Sequence, residues 1–163
     1  MARTELDRAV QPSLLDRLTD EELRDSVDRT TTREASARAF RNSVQRDVEW
    51  LLNTRRTIVA TTSLHPELQH SVHQFGLPDS SGLSFSNIEG RKQLTDDITD
   101  TLRRFEPRLM NVVVNLTEAD MVKAPQVRFS ITATLRMDPS PEQIVFDTVL
   151  EIASGTFDVA DKS

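Results

Sequence analysis

Phe105-Glu106-Pro107-Arg108-Leu109 divides the chain into two halves of different periodicity. Before this stretch apolar residues recur at helical spacing, and after it they alternate. Proline lacks an N–H and disfavours helical geometry at the preceding residue, so the incoming helix should end near Phe105 or Glu106. Arg103, Arg104 and Arg108 gather at that helix end, where positive charge suits the macrodipole. Glu106 is left extended beside Arg108, whose planar fork matches carboxylates and carbonyls. Residue types alone are met by a helix stop with a local ion pair, worth about 1 kcal/mol or less if exposed.

Upstream of the joint, Ser86-Asn87-Ile88-Glu89 has the form of a capping box. The helix it opens carries Ile88, Leu94, Ile98, Leu102 and Phe105 as its buried stripe, with Asp96, Asp97 and Asp100 facing outward. Leu77-Pro78-Asp79-Ser80-Ser81-Gly82 is turn chemistry. Before it, His65-Pro66 predicts a helix start, Leu68, Val72 and Phe75 its buried face, and Gly76 its C-cap.

Thr31-Thr32-Arg33-Glu34 is another capping box and predicts a helix to about Leu52. Phe40, Val44, Val48 and Leu51 form one face of it, and Trp50 lies off that stripe, which suggests burial on more than one side. Thr19-Asp20-Glu21-Glu22 predicts a short helix to about Val27. The leader Pro12-Ser13-Leu14-Leu15-Asp16-Arg17-Leu18 holds a small apolar cluster that either packs back on the domain or docks into a partner groove.

Downstream, Leu109 to Leu116 reads as a strand whose valine centre at 112–114 suits cover on both faces. Residues 117–125 read as a loop. Val127, Phe129, Ile131, Ala133, Leu135 and Met137 alternate with polar residues in a long one-faced strand. Asp138-Pro139-Ser140-Pro141 turns it. A strand from Ile144 to Ile152 follows, with Thr156–Val159 continuing it after a bulge at Ser154-Gly155. The sum is an α+β fold: N-terminal helices on one face of a small, mainly antiparallel C-terminal sheet of three or four strands. The expected organisation is an arm at 1–18, one domain at 19–159 and a tail at 160–163.

Composition narrows the function. The chain of 163 residues has a net charge of −6 and no cysteine, which excludes disulfides and thiolate chemistry. No apolar run is long enough for a membrane span or signal segment, so a cytoplasmic protein without membrane insertion is expected. The acidic total, without a basic block, argues against nucleic acid. Arginine makes up 17 of the 20 basic residues, and arginine is the cation preferred at protein interfaces.

Catalytic constellations are missing. There is no GxSxG, P-loop or dinucleotide fingerprint, and only 4 glycines occur. Glu49, Glu89 and Glu106 are the carboxylates nominated for glycoside hydrolysis, but none has a context that suggests desolvation. His65, His70 and His73 invite a metal reading, yet only one i,i+3 pair exists and no carboxylate completes a set. No enzyme activity, metal or cofactor is expected.

Five stretches together carry a family resemblance. They are Pro12 to Leu18, Asn42-Ser43-Val44-Gln45-Arg46-Asp47-Val48-Glu49-Trp50-Leu51-Leu52-Asn53-Thr54-Arg55, Phe75-Gly76-Leu77-Pro78-Asp79, the joint, and Val145-Phe146-Asp147-Thr148. In this order and spacing, over about residues 12–159, they resemble the TssE family of type VI secretion baseplate subunits. That family is similar to the phage baseplate wedge proteins of the lysozyme-like (GPW) family.

The resemblance implies a structural role in the wedge rather than a hydrolase. It implies wedge partners TssF, TssG and TssK, and sheath subunits TssB and TssC whose polymerisation the protein templates. It maps the family's Glu-Pro-Arg motif onto Glu106, Pro107 and Arg108 as a wedge contact. Strand addition by the sheath is then expected at an edge of the 127–152 hairpin, at Val145, Asp147, Val149 and Glu151. The alternatives are a peptidoglycan hydrolase, as the historical label suggests, and the equivalent protein of a phage tail.

Overall fold

The computed structural model describes residues 10–11, 13–18, 32–58, 66–80, 82–120, 125–138 and 140–162. Among these, three α-helices precede four strands: α1 (Leu14–Leu18), α2 (Arg33–Asn53), α3 (Ile88–Phe105), β1 (Leu109–Asp120), β2 (Gln126–Leu135), β3 (Glu142–Glu151) and β4 (Thr156–Asp161). The strands form one antiparallel meander in the order β1-β2-β3-β4. The α+β expectation holds, with the N-terminal helices and C-terminal sheet it described. The short helix expected at 19–27 lies outside the described residues, as does the arm–domain boundary at 18/19.

Both long helices start one residue later than their capping boxes imply. Thr32 caps α2, its hydroxyl accepting from the Ala35 N–H at 3.3 Å. Asn87 caps α3, accepting from the Gly90 N–H at 2.7 Å. At Gly90 an added Cβ would lie 2.3 Å from the Ser84 carbonyl oxygen, so glycine permits this tight entry. The shift leaves Ile88 in the first turn, exposed rather than in the buried stripe.

One side of the sheet carries the core. Val127, Phe129, Ile131, Ala133 and Leu135 of β2 and Ile144, Phe146 and Leu150 of β3 point the same way. Phe40, Val44, Val48, Leu51 and Leu52 of α2 and Leu94, Ile98 and Leu102 of α3 share their hydrophobic cluster. Each fully buried side chain of this kind contributes about 1.5–3 kcal/mol. Arg128, Ser130, Thr132 and Thr134 stand on the other side of β2, exposed or half-buried, so among the described residues the sheet is covered on one side.

Several local expectations change for definable reasons. The helix predicted after His65 is a pair of 3₁₀ turns, Pro66–His70 and Val72–Gln74, interrupted at Ser71. Leu68, Val72 and Phe75 share a face only at 3.6 residues per turn, so the expected buried face does not form and Val72 is 88% exposed. Gly76 does take a positive φ of 100°, and a Cβ there would meet the Thr54 carbonyl oxygen at 2.3 Å. That approach lets Leu77 donate to Thr54 and accept from Arg56.

β1 runs on to Asp120, through residues expected to be loop. Its valine centre is covered on one face only: Val112 and Val114 are buried while Val113 is 50% exposed. A register shift between Met110 and Val113, with Asn111 at φ 52°, marks the irregularity. Residues 156–161 do not continue β3. The chain reverses through 152–155, with Gly155 at φ 69°, and returns antiparallel as β4. Trp50 is 64% exposed, stacked edge-on against Phe75, so α2 is not buried there.

Candidate interaction site

The joint is closed on itself. The Glu106 N–H still donates to the Leu102 carbonyl at 2.9 Å, which makes Glu106 the C-cap of α3. The Leu109 N–H returns to the Glu106 carbonyl at 3.1 Å, and the Arg136 N–H donates to the Arg108 carbonyl at 2.8 Å. Pro107, exposed, sits at the apex of this turn from helix to strand. The Glu106 carboxylate, 5% exposed for the residue, turns inward. It accepts from Arg108 Nε at 2.6 Å, from Arg108 Nη2 and from the Arg108 backbone N–H at 3.3 Å.

The same guanidinium reaches α2. Arg108 Nη2 donates to Asp47 Oδ2 at 2.7 Å, and the group stands 6.0 Å from the centre of the Phe40 ring. Asp47 accepts on its other oxygen from Arg46 Nε at 3.2 Å and Nη2 at 3.0 Å. Arg46 Nη2 also donates to Asp16 Oδ1 of α1 at 2.7 Å. A chain of alternating charges, Glu106–Arg108–Asp47–Arg46–Asp16, thus links the joint, α2 and the N-terminal arm.

Electrostatics follow that geometry. The hydrogen bond to Glu106 raises the Arg108 pKa further above its ordinary value; burial opposes this and Asp47 adds to it. Arg46 is raised by its hydrogen bonds to Asp16 and then Asp47. Burial pushes Asp16 up, but bonds from Ser13 and Arg46 outweigh it and hold the carboxyl below the usual range. The buried end of the network is the costly one to disturb, because an unpaired buried carboxylate costs about 3–5 kcal/mol.

The motif residues Glu106, Pro107 and Arg108 therefore come together, but only Pro107 and the outer side of Arg108 are open to a partner. The remaining network members were not nominated from sequence. Asp47 and Asp16 stand 61 and 92 positions before Arg108, and no local spacing connects them.

The four strand residues are placed differently from the expectation. β3 is an interior strand, with β2 on one side and β4 on the other. Asp147, Val149 and Glu151 pair with Ala160, Asp158 and Thr156, and the Val145 carbonyl accepts from the Lys162 N–H at 3.0 Å. Val145, Asp147, Val149 and Glu151 thus form no open edge, because β4 already occupies it. The reversal at 152–155, read as a bulge in sequence, is what supplies the covering strand.

The outer edge of β4 is covered in turn. The Asn53 side chain clamps Phe157, its Nδ2 donating to the carbonyl and its Oδ1 accepting from the N–H, both at 2.8 Å. Gln45 Nε2 donates to the Val159 carbonyl at 2.7 Å, and Arg55 Nη2 to the Gly155 carbonyl at 2.7 Å. At the other edge, Arg103 Nη2 donates to the Val112 carbonyl at 3.1 Å. Beyond it Val114 and Leu116 stand at non-hydrogen-bonded positions opposite Ile131 and Phe129, so their backbone groups point away from β2. Among the described residues nothing pairs with that stretch.

The nominated carboxylates Glu49, Glu89 and Glu106 lie on α2, on α3 and at the joint. Glu106 is paired with Arg108, Glu89 is exposed, and none of the three lines the shallow pocket of about 420 Å³ between the start of α2 and the β2–β3 turn. Among the described residues no three His, Asp or Glu side chains are grouped to hold a metal, and no helix is long and apolar enough to cross a membrane.

No curated protein and no solved structure matches the chain. A family model does: that of the baseplate wedge protein gp25, over residues 38–140. The matched span runs from α2 through the joint and β1 to the β2–β3 turn, and so contains Asp47, Glu106 and Arg108. The chain belongs to the baseplate wedge protein gp25 family, a family of structural baseplate components.

Proposed function

We propose that the protein is the TssE-type subunit of a type VI secretion baseplate, anchored in the wedge through its joint and offering a sheet edge from which the tail sheath polymerises. The family match across residues 38–140 carries this reading. In it, Pro107 and the outward side of Arg108 meet the wedge partners TssF, TssG and TssK, while Glu106 and Asp47 hold the guanidinium at a fixed angle. A held fork loses little freedom on binding, which favours affinity. The role is mechanical, in the cytoplasm, and needs no catalysis.

The sheath contact moves from β3 to the outer edge of β1. A strand from a sheath subunit, TssB or TssC, adds there by backbone pairing beside Val114 and Leu116. The partly exposed Val113 and Leu116 side chains help set its register.

Affinity capture of the protein from its own host, beside Arg108→Ala, tests the anchoring. Wedge and sheath subunits should co-purify with the wild type, and the wedge set should be lost with the variant. The comparison is made below the variant's melting temperature, because removing Arg108 strands a buried carboxylate. Recovery of neither set from cells that assemble the machine would sink the proposal.

A further inference from the structure

The arm is amphipathic, but its orientation is inverted. In α1, Leu14 and Leu18 are 72% and 74% exposed, and Leu15 is also exposed. At i, i+1 and i+4 the three leucines share one face, and Asp16 stands on the other. That polar side is the one held down: Asp16 bonds Arg46 of α2, and Ser13 Oγ donates to Asp16 Oδ2 at 2.6 Å and accepts from its N–H. Upstream, the buried Val10 donates its N–H to Ser36 Oγ at 3.0 Å. A short segment left to itself turns its leucines toward the core, where burial stabilises them most. Here polar bonds at both ends hold the leucines outward.

We infer that α1 is a docking peg whose leucines enter an apolar groove, rimmed by at least one arginine or lysine, on a neighbouring wedge subunit that also meets the joint. Charge supports the rim: among the described residues the network from Glu106 to Asp16 holds three carboxylates and two guanidinia. Continuity supports the shared neighbour, since that network runs without a break from the joint to the peg. A second copy of this chain fits poorly. A standard interface takes about 20–30 residues a side, and pairing pegs would bring two acid-rich networks together. The inference rests on the wedge reading of the joint.

The test titrates the full chain against the host's wedge subunits, purified from cells lacking this protein. The double variant Leu14→Ser/Leu18→Ser should keep the wild-type melting temperature, since both positions are exposed, and bind at least tenfold more weakly. Asp16→Asn keeps the leucines but loosens their mount, and should weaken binding severalfold. Wild-type affinity in the double variant would overturn the peg and leave the joint reading standing. The same holds if the isolated chain is a dimer that the double variant dissolves. No binding by the wild type would remove the wedge reading and the peg together.

Discussion

The two outer edges of the sheet are treated in opposite ways. At β4, side chains of α2 take the place of a fifth strand: Asn53 serves both backbone groups of Phe157, and Gln45 serves the Val159 carbonyl. At β1, one arginine bonds the Val112 carbonyl, and no strand or side chain among the described residues pairs with the outward backbone groups of Val114 and Leu116. An unprotected edge invites pairing with another chain, so proteins block the edges they do not use. One edge blocked by two separate side chains, and the other left unpaired among the described residues, indicates where pairing is tolerated.

Proline separates the interior strand from the open edge. Val149→Pro removes a ladder bond between β3 and β4 and should cost about 3 kcal/mol or more. At roughly 2–4 °C per kcal/mol for a chain of this size, thermal melting should fall by about 10 °C. Melting within 2 °C of the wild type would mean that β4 is not held as described.

Asn53→Ala tests the blocked edge. Leaving the Phe157 N–H and carbonyl without partners should cost about 2 kcal/mol. It should also make the chain associate with itself in a concentration-dependent way, measurable by sedimentation. A variant that stays monomeric at high concentration would show that the clamp is not what keeps β4 from pairing.

Leu116→Pro probes the open edge with little effect on the fold. Its N–H points away from β2, where proline is tolerated on an edge strand, so stability should change by about 1 kcal/mol or less. Sheath assembly, followed by fluorescence of a labelled sheath subunit in cells, should nonetheless stop. Normal sheaths would mean that β1 is not the templating edge.

The smallest effect belongs to α3, the helix beside the open edge. Burial raises the Asp97 carboxyl above its ordinary value; Arg56 opposes this, and Asp100 and Asp96 add to it. A raised acid prefers its protonated form in the folded state, so its contribution to stability declines as pH rises through the unfolded and then the folded pKa. Asp97→Asn should melt slightly higher than the wild type at pH 7, with the advantage gone below about pH 4. An equal difference at both pH values would assign the effect to something other than charge.

Local chemistry determined a good deal. Pro107 ended α3 at Phe105, period-two alternation set β2 and β3, and the apolar stripes named most of the core. These features depend on a residue and its near neighbours, which sequence displays directly. The caps fall one residue later, at Thr32 and Asn87; at α3 the close approach of Gly90 to Ser84 accompanies that shift. The pair Glu106–Arg108 was legible, since its members are two residues apart.

Tertiary structure decided the rest. That Arg108 also holds Asp47, and through Arg46 the arm, depends on which face of α2 meets the joint. That Val149 lies inside the sheet and Leu116 beside its open edge depends on the turn at 152–155 and on where α2 lies along β4. A strand sequence carries the same alternation whether its backbone groups meet another strand, a helix side chain or solvent. Hydrogen-bond partners distant in sequence, not residue type, close the β4 edge.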